Sequence, residues 1–234
     1  MLTVKRSDQR GKVEWEWLKS FHSFSFGEYY DPNNMNFGTL RVINDDTVLG
    51  GGGFPYHPHK NMEIITYVLE GALEHKDSMG SNEVIRAFDV QKMSAGRGIF
   101  HSEFNHSKTD TVKLLQIWVI PDKLNIEPSY DQISLKEEER TDKFQTVVSP
   151  KTKEGIIHIH QDLEMSVSKL TPGTSLKIVN NEGRGKYLHI AGGKITSGGV
   201  EYVHGDALML EGNDSIEIEA IENSELVLFD LSMN

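Results

Sequence analysis

Residues Thr66–Glu74 read TYVLEGALE and Ala87–Met93 read AFDVQKM, which gives a strand, a glycine turn, a second strand and an acidic turn into a third. The same order returns as YLHIAGGKI at Tyr187–Ile195 and HGDALML at His204–Leu210. A supersecondary pattern that recurs in this way indicates two copies of one β unit. Around them lie further short apolar runs bounded by turn residues: FGTLRVIND, TVKLLQIWVI, EMSVSKL and ELVLFDL. SIEIEAI, Ser215–Ile221, alternates strictly, as a strand with one wet face does. Many short strands at close spacing predict barrels or sandwiches, so the chain reads as all-β. SLKEEERTDKF, Ser134–Phe144, is the best candidate for a helix.

The division expected from the repeat is a first unit over 1–125, a connecting segment over 126–150 and a second unit over 151–234. Pro128, Pro150 and the charge run Lys136–Arg140 mark the connector, and a solvated face is the simplest reading of that run. A chain of 234 residues is ample for two cores.

Composition removes several function classes. The net charge is −11 and no Lys or Arg follows Lys194, which argues against direct nucleic-acid binding. Cysteine is absent, so disulfides, thiolate metal sites and cysteine nucleophiles are excluded. MLTVKRSDQRGK has no apolar segment behind it and does not read as a secretory signal. LLQIWVI is too short to cross a bilayer, and the cytoplasm is the expected location.

Chemistry concentrates in the first unit. GGGFPYHPHKNMEI, Gly51–Ile64, places His57, His59 and Glu63 at one parity, so an uninterrupted strand would turn all three the same way. SAGRGIFHSEFN, Ser94–Asn105, adds His101 and Glu103 two residues apart. Two such strands brought together direct three imidazoles and one or two carboxylates into one cavity. With no thiolate to hand, that donor set suits Fe(II), Mn, Ni, Co or Zn. Three histidines and one glutamate around a six-coordinate ion leave about two positions open for guests. Laying one repeat on the other with a shift of 122 sets Val179 and Asn181 against His57 and His59, and a shift of 117 sets Ile218 against His101. The second unit is therefore expected to have lost the imidazoles.

Other residues carry two readings. The aromatics between Trp15 and Tyr30 either wall a flat ligand or pack strands onto a barrel, and packing is preferred. Phe54 and Phe100 flank the ligand candidates and are candidates for cavity lining. His22, His75, His106 and His189 read as hydrogen-bonded structural histidines. His158 and His160 form another H-x-H that no later H-x-E answers. Asn105 reads as a turn tie and Arg97 as a surface residue.

These residues resemble the pirin family of two-domain cupins over nearly the whole chain, through FHSFSFGEYYDP, LRVINDD, HPHKNMEIITYVLEG, EHKDSMG, VQKMSAGRGIFHSE and LQIWV. The resemblance implies a bicupin of two jelly-roll barrels with metal only in the first. It implies His57, His59, His101 and Glu103 as ligands, whereas the general cupin pattern would use Glu63. It is nearest to bacterial pirin-like proteins with quercetin 2,3-dioxygenase activity, which open a flavonol heterocycle with release of carbon monoxide. The implied cofactor is one divalent transition metal, Fe(II) first, with Mn, Ni, Co, Cu or Zn able to take the same donors. The implied substrates are a small planar aromatic molecule and O2, with Glu103 accepting the flavonol's 3-hydroxyl proton. A monomer is expected; some pirins resemble metal-dependent regulators that bind a protein partner, which is the rival reading.

Overall fold

A computed structural model describes residues 1–233. The first half holds β1 (Leu2–Lys5), β2 (Gly11–Glu14), β3 (Leu18–His22), β4 (Leu40–Val48), β5 (Gly53–His59) and β6 (Glu63–Glu70). It continues with β7 (Ala72–Asp77), β8 (Asn82–Arg86), β9 (Asp89–Ser94), β10 (Ile99–Asn105) and β11 (Val112–Val119). The connecting segment has structure of its own: β12 (Ser129–Ser134), a single helical turn α1 (Glu137–Arg140) and β13 (Gln145–Ser149). The second half holds β14 (Ile157–His158), β15 (Leu163–Leu170), β16 (Ser175–Val179), β17 (Arg184–Gly192) and β18 (Lys194–Ser197). β19 (Val200–Val203), β20 (Ala207–Glu211), β21 (Ser215–Ala220) and β22 (Ser224–Ser232) complete it.

The strands make two barrels of one design, each a seven-stranded sheet facing a four-stranded one. In the first barrel the orders are β12-β9-β6-β11-β4-β3-β2 and β5-β10-β7-β8. In the second they are β1-β20-β17-β22-β15-β13-β14 and β16-β21-β18-β19. The match is position for position, so β5 corresponds to β16 and β10 to β21. The chain's first strand closes the edge of the second barrel, where Leu2 to Lys5 run antiparallel to Leu210 to Ala207.

The two large sheets pack face to face, which explains why their strands read as continuous apolar runs rather than alternating ones. On β6, Ile65 and Tyr67 join a core shared with the second barrel, while Ile64, Thr66 and Val68 point into their own barrel. Leu115 and Ile117 of β11 meet Tyr187, Val227 and Phe229 in that shared core. Arg140 lies buried at the same junction, hydrogen-bonded to both oxygens of Glu225 at 2.6 Å with its guanidinium over Phe88. Tyr67 Oη donates to Glu225 as well, at 2.6 Å, so the first barrel is tied to the second by a buried polar contact inside an apolar interface.

The interiors differ. The second barrel is filled with hydrocarbon: Ile178, Leu188, Ile190, Ile195, Leu208, Ile218 and Leu226 are all buried in one cluster. The first barrel has smaller apolar clusters, around Val68 and around Ile64, and a cavity with polar residues in its lining that opens to solvent.

Candidate metal centre

β5 and β10 lie side by side with His57 directly opposite His101. Gly53 permits this approach, since a Cβ there would sit 2.5 Å from the Glu103 carbonyl oxygen. The rings of His57, His59 and His101 form a triangle with centroids 4.5, 4.8 and 4.8 Å apart. Among the described residues, only two sets of three potential ligands have all their donor atoms within 4.8 Å: His57 with His59 and His101, and His75 with His101 and Glu103. His101 belongs to both.

Hydrogen bonding fixes the tautomers. His57 Nδ1 lies 2.8 Å from the Pro55 carbonyl oxygen, which can only accept, so this nitrogen carries the proton and Nε2 offers a lone pair. Asp77 accepts a hydrogen bond from His75 Nε2–H at 3.2 Å, leaving His75 Nδ1 to accept from His101 Nδ1 at 3.5 Å. His101 Nε2 then also presents a lone pair, 3.1 Å from that of His57. Two lone pairs face to face at this distance repel unless a cation lies between them, and that is how imidazoles are arranged to hold a metal. Burial, reinforced by neighbouring imidazoles, pushes His101 down to about 3 and His59 down to about 4. Both are therefore neutral at physiological pH, the state in which histidine binds metal.

Glu103 is buried beside His101. Gln116 Nε2 donates to one of its oxygens at 2.8 Å, and Thr66 Oγ1 lies 3.4 Å from the other. Glu63 stands elsewhere. The strand is interrupted after His59 by Asn61 in the left-handed region, φ 51°, and Glu63 begins β6 in the opposite sheet. There it accepts from Ser94 at 3.0 Å and lies 3.9 Å from the Lys92 ammonium.

A cavity of about 150 Å³ leads from the cluster to solvent, or about 700 Å³ of free space with the open mouth included. Trp15, Phe26, Phe54 and Trp118 form its apolar walls, and His57, His59, Glu103 and Gln116 line it as well. The edge of Trp118 meets His59 at 4.9 Å. The far wall is polar: Ser20 opposite Asp46, and His22 opposite Asn44, on β3 and β4. Burial, with Asp45 and Glu103 adding repulsion, raises Asp46 to about 7.

Both readings of the N-terminal aromatics apply, residue by residue. Trp15 and Phe26 line the cavity, whereas Phe24 packs against Tyr187 in the shared core. Of the two flanking phenylalanines, Phe54 lines the cavity, while Phe100 is 48% exposed and stacks on Tyr56 on the outer face. Asn105 ties its turn through Val48 O, Asp110 O and Ser107 N. Arg97 pairs with Glu127 at the surface. His106 lies 3.7 Å from Glu74, and His158 with His160 forms a ring pair that belongs to neither set of ligands. His189 is fully buried with neither ring nitrogen hydrogen-bonded, so the expected hydrogen-bonded role does not hold for it.

Sequence reading missed Thr66, Asp77, Gln116, Asn44, Asp46 and Trp118. Thr66 and Gln116 stand as polar residues inside the apolar runs EIITYVLEG and LLQIWVI, and Asn44 follows the apolar pair of LRVIND, all three at the parity that faces the barrel interior. That is the signal that would have found them.

Comparison with known proteins gives a consistent picture. The family description Pirin matches residues 3–119, and that of the Quercetinase C-terminal cupin domain matches residues 146–231. A quercetin 2,3-dioxygenase of Escherichia coli strain K12 is 42% identical over 232 residues, 99% of each chain. A pirin-like protein of Caulobacter vibrioides is 39% identical over 98% of this chain and 99% of its own. The crystal structure of the Escherichia coli bacterial pirin YhhW in complex with nickel(II) superposes with a TM-score of 0.92, at 41% identity and 99% coverage of each chain.

Proposed function

The chain belongs to the pirin family, and from that premise we propose that it is a metal-dependent dioxygenase opening the heterocycle of quercetin-like flavonols with release of carbon monoxide. The observation that carries this reading is the convergence of unprotonated imidazole nitrogens beside a buried carboxylate, at the base of an aromatic-walled cavity. The similar chains named as quercetin 2,3-dioxygenases support it.

In this reading His57, His59, His101 and Glu103 hold one divalent first-row ion, for which Fe(II) suits both the donors and O2 chemistry. Bound there, the ion supplies a Lewis acid that favours the deprotonated form of a flavonol hydroxyl and a common meeting place for substrate and O2. The chain's own residues do the rest. Glu103 accepts the 3-hydroxyl proton at a carboxylate oxygen. Gln116 and Thr66 hold that carboxylate in one orientation. The His75–Asp77 pair keeps the proton on His101 Nδ1 and so keeps Nε2 free. Trp15, Phe26, Phe54 and Trp118 sandwich the flat ring and exclude water.

The test is aerobic incubation of Fe(II)-loaded protein with quercetin, following loss of flavonol absorbance and evolution of carbon monoxide. Protein that holds stoichiometric metal and leaves quercetin intact would overturn the enzymatic reading. Parallel loading with nickel(II) decides between ions.

A further inference from the structure

The cavity wall that runs from β3 and β4 across to Trp118 beside His59 carries four buried polar atoms without partners. His22 Nδ1, Asn44 Oδ1, Asp46 Oδ1 and Trp118 Nε1 are all buried, and none has a hydrogen-bond partner. His22, Asn44 and Asp46 are each 3% exposed, and all four residues line the cavity. Leaving a buried polar atom unpaired is costly, so such atoms are rare unless something is bound there part of the time.

Their placement follows from register. His22, Asn44, Gln116, Thr66 and Gln91 are direct cross-strand partners in a row that crosses β3, β4, β11, β6 and β9. One part of the row, Gln116 and Thr66, is engaged with Glu103. In the part next to the cavity, His22 Nδ1 and Asn44 Oδ1 are left without a partner, and Asp46, the next residue of β4 on the same face, adds its Oδ1. Trp118 provides a donor, Asn44 an acceptor, and His22 and Asp46 either. That mixture matches hydroxyl groups, which both donate and accept. It does not match a carboxylate or phosphate, because no Arg or Lys lines this cavity.

We propose that His22, Asn44, Asp46 and Trp118 form a recognition subsite for hydroxyl groups on the ring system of a metal-chelated polyphenol, so that the enzyme selects polyhydroxylated over bare flavonols. This deepens the dioxygenase reading and rests on it. The metal end of the cavity recognises the chelating hydroxyl and carbonyl that all flavonols share. The polar wall discriminates among them, because a site built to bond a hydroxyl penalises an analogue that leaves its buried groups unpaired.

The experiment compares quercetin with 3-hydroxyflavone, which keeps the chelating pair but lacks the other hydroxyls. Affinity for metal-loaded protein is measured anaerobically by calorimetry, and kcat/KM aerobically. The wild-type protein should prefer quercetin about tenfold or more in both. Asn44→Leu, close in shape, and Trp118→Phe, which keeps an aromatic edge on His59 but removes the N–H, should each lower that preference about tenfold, through affinity and KM rather than kcat. Equal affinities for the two flavonols in the wild-type protein, or a preference unchanged in both variants, would overturn the subsite. Absence of turnover with the affinity preference intact would overturn the dioxygenase reading and leave the subsite standing.

Discussion

The two barrels share a strand order and differ in what fills them. In the second, Ile178 and Ile218 project from β16 and β21 into a closed apolar cluster. In the first, the corresponding strands β5 and β10 carry His57, His59 and Glu103 lining a cavity, with His101 clustered against them. The difference shows how one scaffold divides labour: one interior is closed with hydrocarbon, and the other gives part of its space to a polar-lined cavity while keeping smaller apolar clusters of its own. Removing apolar surface from water contributes about 25 cal/mol per Å², and the filled barrel collects this on both sides of its large sheet. The hollow one collects it at the shared core and in its own smaller clusters, and forgoes it around the cavity.

The sharpest break in this comparison comes from the ligands. His101→Ala should lower metal affinity by more than the roughly 10–100-fold expected for an outer-layer partner, while His160→Ala should keep its metal. Elemental analysis after dialysis reads both, and equal retention would contradict the site. The converse is Ile218→Ala in the filled barrel, which should cost about 2–5 kcal/mol in denaturant unfolding yet leave metal content unchanged. Between these extremes, Gln116→Leu removes the donor that orients Glu103 and should lower kcat by about 10–100-fold. Its metal content should fall less than that of His101→Ala.

The smallest effect is a pH slope. His189, on the face of the second barrel's large sheet turned to the first, is held down to about 3, first by burial and then by the nearby Arg10. Its folded value lies below its unfolded value near 6.5. As pH falls from about 6.5 towards 3, the unfolded chain therefore takes up a proton that the folded chain refuses, and stability drops by at most about 1.4 kcal/mol per unit. In unfolding measured across this range, His189→Phe should flatten the slope; an unaltered slope would place the titration elsewhere.

Much of this was legible in the sequence, and the illegible part has a common cause. Parity along a strand is written locally, so H-x-H and H-x-E pointed to the imidazole cluster, while the preference for Glu103 over Glu63 came from the family resemblance. The repeat pointed to the filled interior through Ile218, although Val179, set against His57 by the same reasoning, is 50% exposed and Ile178 is the residue inside. Parity misled at Glu63, because one left-handed residue, Asn61, ended the strand. Register between distant strands is not written locally at all. The row from His22 to Gln91 exists only once five strands align, and no spacing rule announces it. Likewise, helical propensity in Ser134–Phe144 survives as the single turn Glu137–Arg140, confined between the end of β12 at Ser134 and the start of β13 at Gln145.

The exchanged first strand has a consequence for birth on the ribosome. Leu2–Lys5 emerges long before its hydrogen-bonding partner Ala207–Leu210, which is made about two hundred residues later. The hollow barrel can close while this segment waits unpaired. The second barrel's sheet gains this edge strand only once β20 has been made, so a pause in translation before that point would leave a half-finished molecule with an open β edge.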